Sequence, residues 1–199
     1  MPITIKNTQK DKQESFSRFL PYGDFGEGKT YAVGIIDKIL KEQGTKGVYI
    51  FDFDHGIKTL ETAGFSVDYN TYVDFDKKSP RAFAEFNRDF REFEKDNQGY
   101  GAVCIDSLTT LQRTMMYEVF RINPTKRQVL TGGGSMASQN DYGVLIEFLM
   151  QLFPQLIQVS HHMHVILTAH LRERQNETTS VIEYVPGVIG KSLPSSMGL

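Results

Sequence analysis

Three short apolar runs in the chain show no polar alternation: Gly47-Val48-Tyr49-Ile50-Phe51-Asp52-Phe53, Gly101-Ala102-Val103-Cys104-Ile105-Asp106 and His164-Val165-Ile166-Leu167-Thr168. Such runs are expected of parallel strands covered on both faces. Between them apolar residues recur at spacings of three and four, the signature of a helix with one buried side. Ala32, Ile35, Ile36 and Leu40 place that side on a helix over residues 29–43. Phe83, Phe86, Phe90 and Phe93 place it on a second helix, with Ser79 as its cap and Pro80 at its first position. An aromatic stripe is also a surface on which bases can stack, but helical spacing assigns this one to the core. Leu145, Ile146, Leu149, Leu152, Phe153 and Leu156 mark a helix over 141–157, kinked or restarted at Pro154.

A helix over 107–120, a helical turn over 57–63, a short strand over 16–22 and an edge strand over 68–73 complete the regular elements. Residues 121–138 and 171–185 read as irregular polar stretches, the first containing Gly132-Gly133-Gly134. Strands alternating with helices imply an α/β fold of three layers, a mostly parallel central sheet between two layers of helices. Ligands of such sheets bind at the carboxyl ends of the strands. Residues 1–15 read as a polar arm or edge strand, and 16–199 as one core without repeats or linkers.

Composition narrows the class. A 199-residue chain, 40% hydrophobic and 23% charged, has the make-up of an ordinary soluble globular protein. Its net charge of −2 means that any nucleic-acid contact has to come from a local patch. No apolar run approaches membrane-spanning length, and Met1-Pro2-Ile3-Thr4-Ile5-Lys6 is not a signal peptide, so no membrane partner is expected. The single cysteine, Cys104, excludes an intramolecular disulfide and fits a reducing, cytoplasmic location. It reads as a small buried hydrophobe.

The most specific chemistry lies in Gly23-Asp24-Phe25-Gly26-Glu27-Gly28-Lys29-Thr30, a complete P-loop pattern between a strand and an amphipathic helix. Glycines at 23, 26 and 28 let backbone N–H groups converge on phosphate oxygens. The helix starting at Lys29 directs its positive end at the same charge. Lys29 is placed to reach the β- and γ-phosphates, and the Thr30 hydroxyl to coordinate Mg²⁺. Asp106, closing an apolar strand before Ser107, reads as the carboxylate that holds the magnesium shell. Asp52 and Asp54 end the strand that follows the P-loop helix, and one of them is placed to orient the attacking water. His170 ends another strand and is a candidate γ-phosphate sensor. The histidines at 161, 162 and 164 lie at the opposite end of that strand and lack a companion ligand, which disfavours a metal.

In this order the motifs resemble those of the RecA-like P-loop ATPases, most of all the compact RecA-like ATP-binding proteins of bacteriophages. Gly23 to Thr30 looks like the acidic-Phe P-loop of archaeal recombinases. Ile50-Phe51-Asp52-Phe53-Asp54-His55 resembles the RecA segment that ends in a catalytic glutamate and a histidine, which puts Asp54 in the catalytic place with a side chain one methylene shorter. Val103-Cys104-Ile105-Asp106-Ser107-Leu108 is similar to the family's Walker B strand, and His170 stands where RecA has its sensor glutamine.

The resemblance implies Mg²⁺-dependent ATP hydrolysis with Lys29, Asp54 and His170 as catalytic residues. It implies ATP binding by Gly23, Asp24, Phe25, Gly26, Glu27, Gly28, Lys29, Thr30 and Tyr31, and Mg²⁺ binding by Thr30 and Asp106. Residues 121–138 and 171–185 take the places of the two loops that line the DNA axis in RecA. Arg121, Lys126, Arg127, Arg172 and Arg174 are then the contacts to DNA phosphates, and Lys191 reaches a neighbouring subunit's nucleotide. The implied activity is a single-stranded-DNA-dependent ATPase of recombination or annealing. Self-association into a ring or filament goes with it, and a single-stranded-DNA-binding protein is a further partner. A helicase or packaging-type motor is the alternative enzyme. A non-catalytic ATP-dependent switch is the other alternative, kept open by the short carboxylate at 54. The resemblance also leads one to expect another core strand after Leu199.

Overall fold

The computed structural model describes residues 16–76, 79–122, 137–175 and 182–188. Its elements are β1 (Arg18–Phe19), β2 (Tyr22–Gly23), α1 (Lys29–Glu42), β3 (Val48–Asp52), α2 (Ile57–Thr62), β4 (Asp68–Thr71), α3 (Ala82–Lys95), β5 (Ala102–Asp106), α4 (Leu108–Ile122), α5 (Gln139–Val159), β6 (His164–Leu167), β7 (Ala169–Gln175) and β8 (Ile182–Pro186). Five strands form a parallel sheet in the order β1-β6-β5-β3-β4. A second sheet, β2-β7-β8, continues from it, with β2 parallel to β7 and β8 antiparallel.

Strand periodicity explains the two helix layers, because successive side chains leave opposite faces. Val48, Ile50, Ala102, Cys104 and Ile166 pack with Val33 and Leu40 of α1 and Ile57 and Leu60 of α2. Their neighbours Phe51, Val103, Ile105, Val165 and Leu167 pack with α3, α4 and α5. The expected three-layer α/β fold with a mostly parallel sheet is the one observed. The aromatic stripe of α3 belongs to the second layer, where Phe83, Phe86, Phe90 and Phe93 are all buried. α5 corrects one expectation: it is long and apolar enough to cross a membrane by length and composition. Here it packs through Leu145, Leu149, Leu152, Phe153 and Leu156 into the core.

Four further readings are corrected. α1 buries Val33, Gly34, Asp37 and Leu40, whereas Ala32 and Ile35 are exposed. The helix is rotated from the expected face because the Asp37 carboxylate has a specific inward role. It accepts the Val48 N–H at 2.8 Å and pairs with Lys41 at 2.8 Å. α3 begins at Ala82, without a Ser79 cap, because Asp74 Oδ1 accepts the N–H groups of Arg81 (2.7 Å) and Ala82 (2.9 Å). Pro154 lies inside one continuous α5, which starts with a capping box between Ser138 and Asp141. Of the stretch 171–185, the described residues 171–175 and 182–185 are strands rather than irregular loop: β7 and β8 pair from Leu171↔Pro186 to Gln175↔Ile182, so backbone pairing orders segments rich in polar side chains.

Asp37 gives a direct test of the α1 packing. Asp37→Ala leaves the buried Val48 N–H without its acceptor and is expected to cost about 1–3 kcal/mol. Urea denaturation of wild type and variant measures it, and a difference near zero would show that water or another acceptor replaces the carboxylate.

Candidate functional site

The strand register brings the chemically distinctive residues to one sheet edge. Asp52 lies opposite Asp106 across β3 and β5, and Gly23 lies opposite His170 across β2 and β7. Two neighbouring strand lines break near this edge, at Leu20–Pro21 between β1 and β2 and at Thr168 between β6 and β7. The break at Thr168 lets its hydroxyl turn to β5 and donate to Asp106 Oδ1 at 2.5 Å.

The P-loop runs from the end of β2 to the start of α1. Gly26 and Gly28 have φ of 83° and 84°, left-handed values that side-chain-bearing residues seldom adopt. A Cβ at Gly23 would lie 2.1 Å from Glu27 Oε2 and would displace that carboxylate from the loop. Glu27 in turn accepts the Asp24 N–H at 2.8 Å. Lys29 Nζ donates to the carbonyls of Gly23 (2.8 Å) and Asp24 (2.7 Å), so its ammonium already spans the loop where phosphates would lie. With α1 starting at Lys29, the unpaired N–H groups of its first turn point at the same space.

A cleft of about 150 Å³ is lined by Phe25, Gly26, Gly28, Lys29, Thr30 and Tyr31 on the loop side, and by Asp54, Gly56, Thr59, Asp106 and His170 opposite. A larger groove of about 500 Å³ beside β4 sets Asp74, Asp76 and Glu85 against Arg81 and His55, a lining with more carboxylates than cations that suits phosphates poorly. The small cleft is therefore the candidate site.

Inside it, Thr30 Oγ1 donates to Asp106 Oδ2 at 2.8 Å. Burial pushes the Asp106 carboxyl above its ordinary range and Asp54 adds to that, while the bonds from Thr168 and Thr30 and the charge of Lys29 pull it down. Asp52 is likewise raised, first by burial and further by Asp106. A hydroxyl and a carboxylate oxygen facing one space, amid surplus negative charge, fit a hard divalent cation completed by water and phosphate oxygens. Gly56 supports the same fit, because a Cβ there would stand 2.9 Å from both Asp106 Oδ2 and Thr30 Oγ1. Among the described residues no three His, Cys, Asp or Glu side chains gather as a metal site. His164 instead accepts the Ser17 N–H at 3.0 Å.

Asp52 and Asp54 separate clearly. Asp52 is buried and accepts from Gly56 N (3.2 Å) and Thr71 Oγ1 (3.3 Å). Asp54 lines the cleft, accepts from the Thr110 hydroxyl and meets His170 Nε2 at 2.8 Å. The two residues are 116 positions apart in sequence. Phe25 lies across the His170 ring at 4.7 Å between centroids. Cys104 is fully buried, and burial with the charges of Asp106 and Asp52 raises its thiol well above the usual range.

The basic residues are less gathered. Arg121 lies in the last turn of α4 rather than in a loop, because that helix runs on to Ile122, and it pairs with Glu118. Arg172 and Arg174 lie on β7, and Arg174 pairs with Glu183 of β8 at 2.6 Å. Lys126, Arg127 and Lys191 lie outside the described residues.

Sequence reasoning missed Gly56, Thr109, Thr110 and Thr168. Thr109 Oγ1 accepts the His170 N–H at 3.0 Å, and the contacts of all four are made to residues far away in the chain or visible only in three dimensions. The sole sequence hint is that Thr109-Thr110 and Thr168 directly follow or precede the motif residues.

A family model described as an AAA domain, AAA_24, matches residues 15–195. No curated protein matches the chain. Among solved structures, the crystal structure of the RadB recombinase is similar to it, at 18% identity over 90% of this chain and 70% of that one, with a TM-score of 0.47.

Proposed function

The chain belongs to the AAA_24 family of AAA domains, and on that premise we propose that it is a Mg²⁺-dependent ATPase whose turnover is coupled to single-stranded DNA. The observation that supports hydrolysis best is the convergence of Lys29, the Thr30–Asp106 pair and the Asp54–His170 pair on one cleft. The backbone of residues 23–30 and Lys29 hold the phosphates. Thr30 and Asp106 would hold Mg²⁺, which supplies charge neutralisation for phosphoryl transfer when bound. Asp54 orients a water molecule and receives its proton as the water oxygen bonds to the γ-phosphorus and the bond to ADP breaks. His170 reads the presence of the γ-phosphate beside Asp54.

The DNA part of the reading rests on placement. β7 begins at Ala169-His170 and carries Arg172 and Arg174 outward, so the candidate sensor and two cations share one strand. With Arg121, Lys126 and Arg127 these form the proposed contacts to DNA phosphates. The proposed setting is phage-type recombination or annealing, on a ring or filament in which Lys191 reaches the neighbour's nucleotide, with a single-stranded-DNA-binding protein as a further partner.

ATP turnover with and without single-stranded DNA tests the reading. Wild type is expected to be stimulated, and Asp54→Asn to lose about 10²-fold in kcat with ATP binding kept. Turnover indifferent to Asp54→Asn would remove that residue from its role. No stimulation together with no DNA binding at low salt would remove DNA from the reading.

A further inference from the structure

Resting on the ATPase reading above, we propose that Thr109 and Thr110 are positioning residues for hydrolysis, two neighbouring hydroxyls that set the Asp54–His170 contact from the first turn of α4. Thr110 Oγ1 donates to Asp54 Oδ1, and Thr109 Oγ1 accepts the His170 N–H at 3.0 Å. Asp54 Oδ2 meets His170 Nε2 at 2.8 Å, which closes a ring through residues from three separate stretches of chain.

The turn that carries these hydroxyls follows directly on Asp106 and is tied down by hydrogen bonds and burial. α4 starts at Leu108, whose N–H donates to Thr168 O at 2.8 Å. Thr110 N–H donates to Ser107 Oγ at 3.3 Å, and Leu108 and Leu111 anchor the turn in the core. From the other side Gly187 N–H donates to His170 O at 2.7 Å, so the His170 backbone is held at both its N–H and its carbonyl. A Cβ on Gly187 would come within 2.9 Å of that carbonyl and 3.5 Å of Thr109 Oγ1.

The chemistry requires such a device. A free aspartate carboxylate rotates broadly about its last torsion. A hydroxyl bonded to Oδ1 fixes that torsion and presents Oδ2 to the imidazole. The ordinary use of a helical threonine is seen one turn later, where Thr114 Oγ1 donates back to Thr110 O at 3.1 Å. Thr109 and Thr110 instead turn their hydroxyls to side chain and backbone groups of the cleft.

The test compares Thr110→Val, Thr110→Ser and Thr109→Val by steady-state ATP turnover and by ¹⁵N spectra of the His170 imidazole in nucleotide-free protein. Expected for Thr110→Val is a fall in kcat of about tenfold or more, with KM within about twofold of wild type. Thr110→Ser is expected to restore kcat. The spectrum is expected to show a changed His170 tautomer distribution in the valine variant and the wild-type one in the serine variant. A valine variant with wild-type kcat, or one whose loss the serine does not repair, overturns the proposal. So does an unchanged imidazole spectrum. If wild type shows no turnover, the ATPase reading fails, and the spectra still decide whether the hydroxyl sets the pair. A Thr110→Val chain that does not fold leaves Thr109→Val to be judged by the same criteria.

Discussion

Replacing Lys29 with alanine is expected to lower kcat/KM for ATP about 10³-fold, the upper range for removing one charge-stabilising donor from a preorganised site. The side chain bridges the Gly23 and Asp24 carbonyls at 2.8 and 2.7 Å, so its ammonium needs little rearrangement to reach phosphates bound to the same loop. Asp24 is exposed, so its carbonyl returns to water when the ammonium is absent, whereas Gly23 is buried and its carbonyl loses a partly buried bond. Stability of the nucleotide-free variant is therefore expected to fall by only about 0.5–1.5 kcal/mol, the worth of one hydrogen bond. Lys29→Arg is expected to fail as well, because a planar guanidinium does not fill the place of a compact ammonium. Calorimetric titration with ATP and Mg²⁺, alongside thermal unfolding, separates loss of binding from loss of fold. Undiminished ATP affinity in Lys29→Ala would mean that the phosphates do not lie over the loop.

The contrast between Lys29 and its neighbours shows which parts of the molecule can be read from sequence. Val48, Ile50 and Phe51 are buried beside a half-buried Tyr49, and Ala102 to Ile105 are buried throughout, so composition alone marks both as inner strands. The P-loop is contiguous, and its glycines answer to local backbone needs at 26 and 28. By contrast Asp37 is a carboxylate in a buried position, and its reason for being there is an N–H eleven residues away. Hydropathy therefore turned α1 the wrong way. The cap of α3 is supplied by Asp74, seven and eight residues before the N–H groups it receives, so the nearer Ser79 was a false signal. β7 is exposed from Arg172 to Gln175, and β8 turns its apolar Ile182 and Tyr184 to solvent, so polarity does not report the in–out alternation that marks a strand. Only Ile182, Tyr184 and Val185 hinted at it. In the cleft, Asp54 and His170 were each visible as strand-end residues, but the threonines that bind them have no motif.

The second large expected effect concerns stability: Phe86→Ala should cost about 3–5 kcal/mol, a large part of the roughly 5–15 kcal/mol that holds a native domain together. Phe86 is fully buried at the centre of the α3 stripe. Its ring meets those of Phe51 (5.3 Å, 90°), Phe53 (5.3 Å, 70°), Tyr72 (5.8 Å, 83°) and Phe90 (5.5 Å, 30°), mostly in edge-to-face geometry. Such pairs add about 0.5–1.5 kcal/mol beyond the area they bury. Phe51 and Phe53 flank Asp52 on the strand that leads to Asp54, so a cavity at Phe86 loosens the support beneath the candidate catalytic carboxylate. Urea unfolding measures the loss, and ATP affinity of the fraction that remains folded is expected to be close to wild type because no P-loop residue touches this cluster. The same variant decides between the two uses of an aromatic stripe. A base-stacking surface would lose nucleic-acid affinity on Phe86→Ala while keeping its stability, and a core would do the reverse. With no exposed edge of Phe86 for a base to reach, the unfolding free energy is the quantity expected to move.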